Sequence, residues 1–202
     1  SNDKVREQLN AFLQQAKKDG TMSRLTEKWL GATEPTEHPD YQSLTGENGT
    51  IRLAAVAENK PLIYQYQDQC TGLEMEILSL FAEAYGYRYD VDVVPFDSVI
   101  MGMATGKYDM ASASLQITPE RAESVNFSEP YMQFDVVIVV KNNGNQQTEK
   151  RSTLADFDNA TLGIFSGSSF DALAKERFPN AQRQYYTLVP DMILAVEQGK
   201  ID

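Results

Sequence analysis

Residues 73–93 read LEMEILSLFAEAYGYRYDVDV and decide the fold class. Leu73, Ile77, Leu80, Phe81 and Ala84 recur at helical spacing and mark one apolar helix face. Behind them Tyr87, Tyr89, Val91 and Val93 alternate with Arg88, Asp90 and Asp92, the period of a strand with one buried side. The same alternation extends outward. Residues 51–56 form a strand candidate upstream. Downstream come a short helix over 99–104 ended by Gly106, a strand of small residues over 108–115, and a β-branched run over 136–140 that fits a buried strand. Residues 141–151 (KNNGNQQTEKR) are polar and turn-like, and the pattern then restarts: strand 161–165, helix 169–178, strand 182–186, helix 192–198. Alternation of this kind predicts an α/β fold with a largely parallel sheet, in two lobes joined by a hinge.

The N-terminal 30 residues differ in texture. Val5, Leu9, Phe12, Leu13 and Ala16 recur at helix spacing, with Lys17 and Lys18 in the last turn and Gly20 as the stop. A second short helix follows, with Leu25, Trp29 and Leu30 as its apolar face. Residues 31–50 (GATEPTEHPDYQSLTGENGT) are polar, rich in proline and glycine, and aperiodic, which reads as a linker.

Composition removes most enzyme designs. The 202 residues carry 29 acidic against 18 basic side chains, a formal charge of −11. So acidic a surface repels phosphate backbones and argues against nucleic-acid partners. No apolar run approaches the roughly 18 residues of a membrane span. A single cysteine, Cys70, excludes an intramolecular disulfide and a cysteine-rich zinc site. The single histidine, His38, sits among prolines and reads as a solvated linker residue, which leaves Ser-His or Cys-His catalysis without a base. No cluster of oxygen ligands has metal-loop spacing, so neither metal nor cofactor is expected. Ser1-Asn2-Asp3-Lys4 is neither a signal peptide nor a lipidation motif, and any targeting segment is expected outside this stretch.

Two segments can carry binding chemistry. In residues 115–121 (LQITPER) Thr118 reads as a helix N-cap with Pro119 at the first helical position. Arg121 then lies where a strand end meets a helix start, fit to hold a carboxylate bidentately; pairing with Glu120 or Glu123 on the surface is the equal alternative. In residues 163–169 (GIFSGSS) a strand runs into Ser166-Gly167-Ser168-Ser169 before a helix. That is a small anion nest, or simple capping by Ser168 or Ser169, the favoured reading on sequence alone. It matches neither a phosphate loop nor a nucleophile elbow. Phe96, Tyr64, Tyr66 and Tyr131 lie near element ends and are expected to pack. Glu74 and Glu76 are spaced i, i+2, hence on different helix faces, and are expected on a solvated surface.

Taken together, residues 51–202 resemble the extracellular solute-binding protein family 3, polar amino-acid binders of the type II periplasmic-binding-protein fold. The resemblance rests on residues 71–76 (TGLEME), 96–100 (FDSVI), 105–109 (TGKYD), and above all 117–121 (ITPER) followed by 125–131 (VNFSEPY). It implies two lobes closing on a small polar amino acid. On it, Arg121 clamps the ligand's α-carboxylate, Ser114 and Gln116 contact carboxylate and amino group, Phe96 stacks on the side chain, and Gly167, Ser168 and Ser169 supply second-lobe donors. Asn59 stands where the family usually has an aromatic. Asp202 resembles the first Asp of the family's D-A-x-x-x-D stretch, which puts the ammonium-binding carboxylate beyond residue 202 and leaves the second lobe truncated.

Residues 4–30 resemble the closing helices of the same family, which implies tandem binding domains. The expected division is therefore 1–30, the helical end of a preceding domain; 31–50, linker; 51–140, lobe one; and 141–202, hinge and partial lobe two. The first helix is expected to bury its stripe on lobe one or on a neighbouring copy. The resemblance implies a non-enzymatic, extracytoplasmic amino-acid binder feeding an ABC-type importer, with a membrane permease as partner. The alternative is the ectodomain of a transmembrane sensor; an enzyme is the competing class.

Overall fold

The computed structural model describes residues 2–33, 35–141 and 153–202 and divides into two compact units, 1–133 and 134–202. No described helix is long and apolar enough to cross a membrane.

The first unit opens with α1 (Asn2–Lys18) and α2 (Thr21–Leu30), separated by Gly20 at φ 82°. The spacing rule holds for α1: Leu9, Leu13 and Ala16 are buried, with Val5 and Phe12 packed against the same core. In α2, Met22, Leu25 and Trp29 are buried while Leu30 is 44% exposed, against expectation. One residue advances a helix by about 100°, so Leu30 turns off the stripe that Trp29 occupies.

The central sheet is parallel, in the order β5-β1-β6, with β1 (Thr50–Ala55), β5 (Arg88–Val93) and β6 (Met110–Ser112). β1 lies between its neighbours and pairs Ile51 with Tyr89 and Leu53 with Met110. An antiparallel ribbon, β2 (Glu58–Asn59), β3 (Ile63–Tyr66) and β4 (Gln69–Thr71), fills a stretch for which the sequence reading named no element. From it the chain enters α3 (Leu73–Tyr85) through Gly72, at φ 115°. A Cβ there would come within 2.4 Å of the Leu62 carbonyl oxygen, so only glycine fits. Two of the amides at the start of α3 find carbonyl partners in the ribbon: Leu73 donates to Pro61 and Glu74 to Leu62. After β5, residues 96–98 form a 3-10 turn leading into α4 (Val99–Ala104), and α5 (Pro119–Ala122) follows β6.

One core unites these elements. Leu9, Leu13, Trp29, Leu53, Ile63, Met75 and Phe81 belong to a single buried cluster, and Phe12 meets Phe81 edge-on at 6.0 Å. Helix α1 thus docks on the sheet-bearing part of its own unit. Polar contacts add to this: Tyr87 Oη donates to Gln8 (2.8 Å), Lys17 Nζ to the Pro130 carbonyl (2.7 Å), and the Glu129 amide to Asn10 (2.8 Å).

The segment expected to be a solvated linker is anchored. Asp40 caps a 3-10 turn over Tyr41–Ser43, and Tyr41 is buried with its hydroxyl accepting from the Cys70 amide at 3.2 Å. His38 stacks on Tyr66 at 4.1 Å, and its Nδ1 lies 2.8 Å from Thr71 Oγ1. Its reading as a water-exposed residue is therefore corrected: composition describes the chain, whereas the neighbouring β3, β4 and Trp29 decide the exposure.

Across β1 and β6, Arg52 and Asp109 form a bidentate pair (2.9 and 2.8 Å), and Asp109 also accepts the Arg52 amide. Hydrogen bonding to Arg52 holds the Asp109 carboxyl below its ordinary 3.8.

The second unit contains β7 (Thr161–Phe165), α6 (Phe170–Arg177), β8 (Gln182–Tyr186) and α7 (Val189–Glu197). β7 and β8 pair in parallel over Phe157, Leu162, Ile164, Ala174 and Phe178. Residues 136–140 carry no strand, and Val137 is 74% exposed. A β-branched run has the propensity for a strand, but a strand also needs a partner for its ladder, and among the described residues none pairs with this one. The polar stretch 142–150, and most of 141–151, lies outside the described residues.

Replacing Leu13 with Ala is expected to lower the unfolding free energy by about 2–5 kcal/mol in urea titrations, whereas Leu30→Ala should change it by less than about 1 kcal/mol. Because the Asp109 carboxyl is held low in the folded state, its contribution is complete above the unfolded value and fades as pH falls through the folded one. Acid titration of Asp109→Asn should show a shallower loss of stability below pH about 4 than the parent.

Candidate functional site

The residues expected to bind ligand fall into two groups, one in each unit. In the first unit, β6 ends at Ser112 and the chain turns sharply at Ser114, whose φ of 48° is left-handed. For a residue with a Cβ this conformation costs on the order of 1–3 kcal/mol and needs outside support. Four residues on, Thr118 accepts the Arg121 amide at 3.3 Å as the N-cap of α5, with Pro119 first in the helix, as the sequence predicts.

Arg121 is half-buried. Its guanidinium carbon lies 5.7 Å from the Phe96 ring centroid, within cation–π range, and Nη1 donates to the Gln116 carbonyl at 2.9 Å. Burial makes the charged form less favourable and lowers the pKa of this group from its ordinary value, opposed by Glu120. Phe96, Gln116 and Arg121 thus come together as a planar cation on an aromatic face, a shape matched to a planar anion. Asn59 does not belong to this group by sheet: it lies exposed on β2, paired with Ile63.

Ser114 is gripped by Glu74. Its hydroxyl donates to Glu74 Oε1 at 2.6 Å, its amide reaches Glu74 Oε2 at 3.4 Å, the Ser112 hydroxyl donates to Oε2, and the Tyr131 hydroxyl donates to Oε1 at 2.6 Å. Burial, the Glu74 charge and the bond to it together push the Tyr131 phenol above its ordinary value. Glu74 is 5% exposed, which corrects its reading as part of a solvated surface. The i, i+2 argument does hold: Glu76 faces another way and pairs with Lys28 (2.8 Å) and the Trp29 indole. Sequence reasoning missed Glu74, Ser112 and Tyr131; the available signal was an acid flanked by Leu73, Met75 and Ile77 in an apolar run. A cavity of about 320 Å³ is lined by Glu74, Ser112, Ser114 and Tyr131 together with Val5, Leu9 and Leu13 of α1; Arg121 and Phe96 do not line it.

In the second unit, Gly167 has φ 76° and closes the turn between β7 and α6. The Ser168 amide and hydroxyl both donate to the Phe165 carbonyl (3.1 and 2.6 Å), and Ser169 is the N-cap residue of α6 without a side-chain cap bond. The Ser168 hydroxyl thus holds the turn through the Phe165 carbonyl rather than by capping an amide of α6. Gly163 lets α7 and the chain end pack close, since a Cβ there would lie 2.5 Å from Ile201 and 2.9 Å from Met192. Asp202 lies beside β7, donating its amide to Thr161 and accepting the Thr161 amide on its carboxylate. Among the described residues no cluster of His, Cys, Asp and Glu could hold a metal ion.

Comparison with known proteins gives concordant matches. Residues 51–198 match the family model of bacterial extracellular solute-binding proteins, family 3. The arginine-binding extracellular protein ArtP of Bacillus subtilis (strain 168) is 26% identical over 77% of this chain and 61% of its own length. Membrane-bound lytic murein transglycosylase F of Alcanivorax borkumensis is 27% identical over 69% of this chain and 30% of its own. The crystal structure of the ancestral amino acid-binding protein AncCDT-1, a precursor of cyclohexadienyl dehydratase, superposes with a TM-score of 0.70 at 26% identity, covering 77% of this chain and 69% of that one. The chain spans about 60% of the length of the curated binding protein it matches here.

Phe96→Leu removes the ring under Arg121. The Arg121 Nε–H resonance should then move by the lost ring-current shift in side-chain NMR spectra, with the Trp29 indole signal unchanged.

Proposed function

This chain belongs to the bacterial extracellular solute-binding proteins, family 3, and on that basis we propose that it binds a small polar amino acid outside the cytoplasm for uptake by an ABC-type transporter. The observation that carries the reading is Arg121, a half-buried guanidinium steadied by Phe96 and the Gln116 carbonyl where the chain passes from β6 to α5. An amino acid offers such a group its α-carboxylate, and charge-assisted bonds to a planar fork are among the stronger polar contacts. Ser114, Gln116 and Phe96 would complete the first-unit half of the site; Gly167, Ser168 and Ser169 would supply donors from the second.

A binding role fits the chemistry better than a catalytic one. Glu74, a buried acid on α3, already accepts two donors on each oxygen, all from the chain itself, so a substrate would have to displace one of them to reach it. A membrane permease or other receiver would read the ligand-bound state.

Calorimetric titration of the full two-lobe domain with the twenty amino acids should give heat with one or a few polar ones. Arg121→Ala should weaken that binding by about 100-fold or more. Absence of heat with every amino acid, or unchanged affinity in Arg121→Ala, would refute the reading.

A further inference from the structure

We infer that Glu74 is the positioning residue of the Arg121 site: its carboxylate fixes the left-handed turn at Ser114 from which Gln116 and Arg121 are presented. The inference rests on the amino-acid-binding reading for its purpose, but its geometry stands on the first unit alone.

Three segments distant in sequence meet on this one side chain. Glu74 is in the first turn of α3, which the Pro61 and Leu62 carbonyls hold in place. Ser112 and Ser114 come from the end of β6, and Tyr131 from the irregular segment that α1 grips through Asn10 and Lys17. A carboxylate has about four lone-pair sites, and here each oxygen takes two donors. Glu74 is thereby saturated and has no site left for a ligand's ammonium group, so its action on the site runs through other residues.

The position it controls is an unfavourable one. Ser114 at φ 48° would relax toward the ordinary β or helical regions without support. Glu74 grips that residue twice, through amide and hydroxyl. Two residues later the Gln116 carbonyl receives the Arg121 guanidinium. Releasing Ser114 therefore moves the acceptor that aims Arg121. An isosteric amide cannot replace the carboxylate: its oxygen accepts two donors, but its NH₂ group faces donors that need an acceptor.

The test uses Glu74→Gln and, with one donor removed and little volume lost, Tyr131→Phe. The full chain is followed by NMR at the Ser114 amide, the Arg121 Nε–H and the Trp29 indole, and binding by the full two-lobe domain is followed by titration with each of the twenty amino acids. In Glu74→Gln the Ser114 and Arg121 signals should move, the Ser114 amide should exchange at least about tenfold faster, and the amino acids that bind the parent should bind about tenfold more weakly. Tyr131→Phe should do the same to a smaller degree, and it decides the matter alone if Glu74→Gln does not fold. Trp29 should stay in place in both. If the parent domain binds no amino acid while the Ser114 and Arg121 signals still move, the functional reading fails and the positioning role stands. If the variants only melt earlier, with Ser114, Arg121 and affinity unchanged, the positioning role is overturned.

Discussion

A carboxylate removed from water must have its lone pairs answered by donors, and in the first unit that requirement falls on Glu74. The side chain reaches the end of β6 because the ribbon carbonyls and Gly72 fix where α3 begins. The donors reach it because Ser112 and Ser114 lie on the exit of a strand paired to β1, and because α1 holds the segment that carries Tyr131. None of these supports is local in sequence. Together they stabilise a backbone conformation that Ser114 would otherwise avoid, and the geometry of Gln116 and Arg121 follows from it.

The same interdependence governs the apolar core. Helices α1 and α2 contribute Leu9, Leu13, Met22, Leu25 and Trp29 to the cluster that contains Leu53, Ile63 and Phe81. An amphipathic helix in water exposes a stripe costing about 25 cal/mol per Å² of apolar area, so docking on the nearest uncovered apolar surface is favoured. Tyr41 and His38 then order the connecting segment against the ribbon. A stretch that composition marks as a linker becomes a strap because two aromatic rings in it find partners.

Much of the architecture was legible from period alone. The helix over α3, the strand over β5, the stripe of α1, the strands β7 and β8 and the Thr118-Pro119 start of α5 all follow from spacing and capping chemistry that act within one or two turns. The failures share a cause. Residues 136–140 have strand propensity without a paired neighbour among the described residues, Leu30 has hydrophobicity without the angle, and His38 has polar surroundings in sequence but aromatic ones in space. In each, a neighbour remote along the chain sets the outcome.

For the site the division is similar. Arg121 could be named from the chain because a strand end, a cap and a short helix place it within one local run; Phe96 and Gln116 were named only through the family resemblance. Glu74 could not, since an acid in an apolar run is an anomaly whose resolution depends on what lies opposite. The sequence determined most of the helices and strands and which side chains have the chemistry to hold an acid group, because those are properties of short-range geometry and functional groups. The tertiary structure alone decided that Glu74 is buried, that Ser114 is held left-handed and that α1 belongs to the core beside them, because burial and hydrogen-bond saturation are set by contacts between residues tens of positions apart.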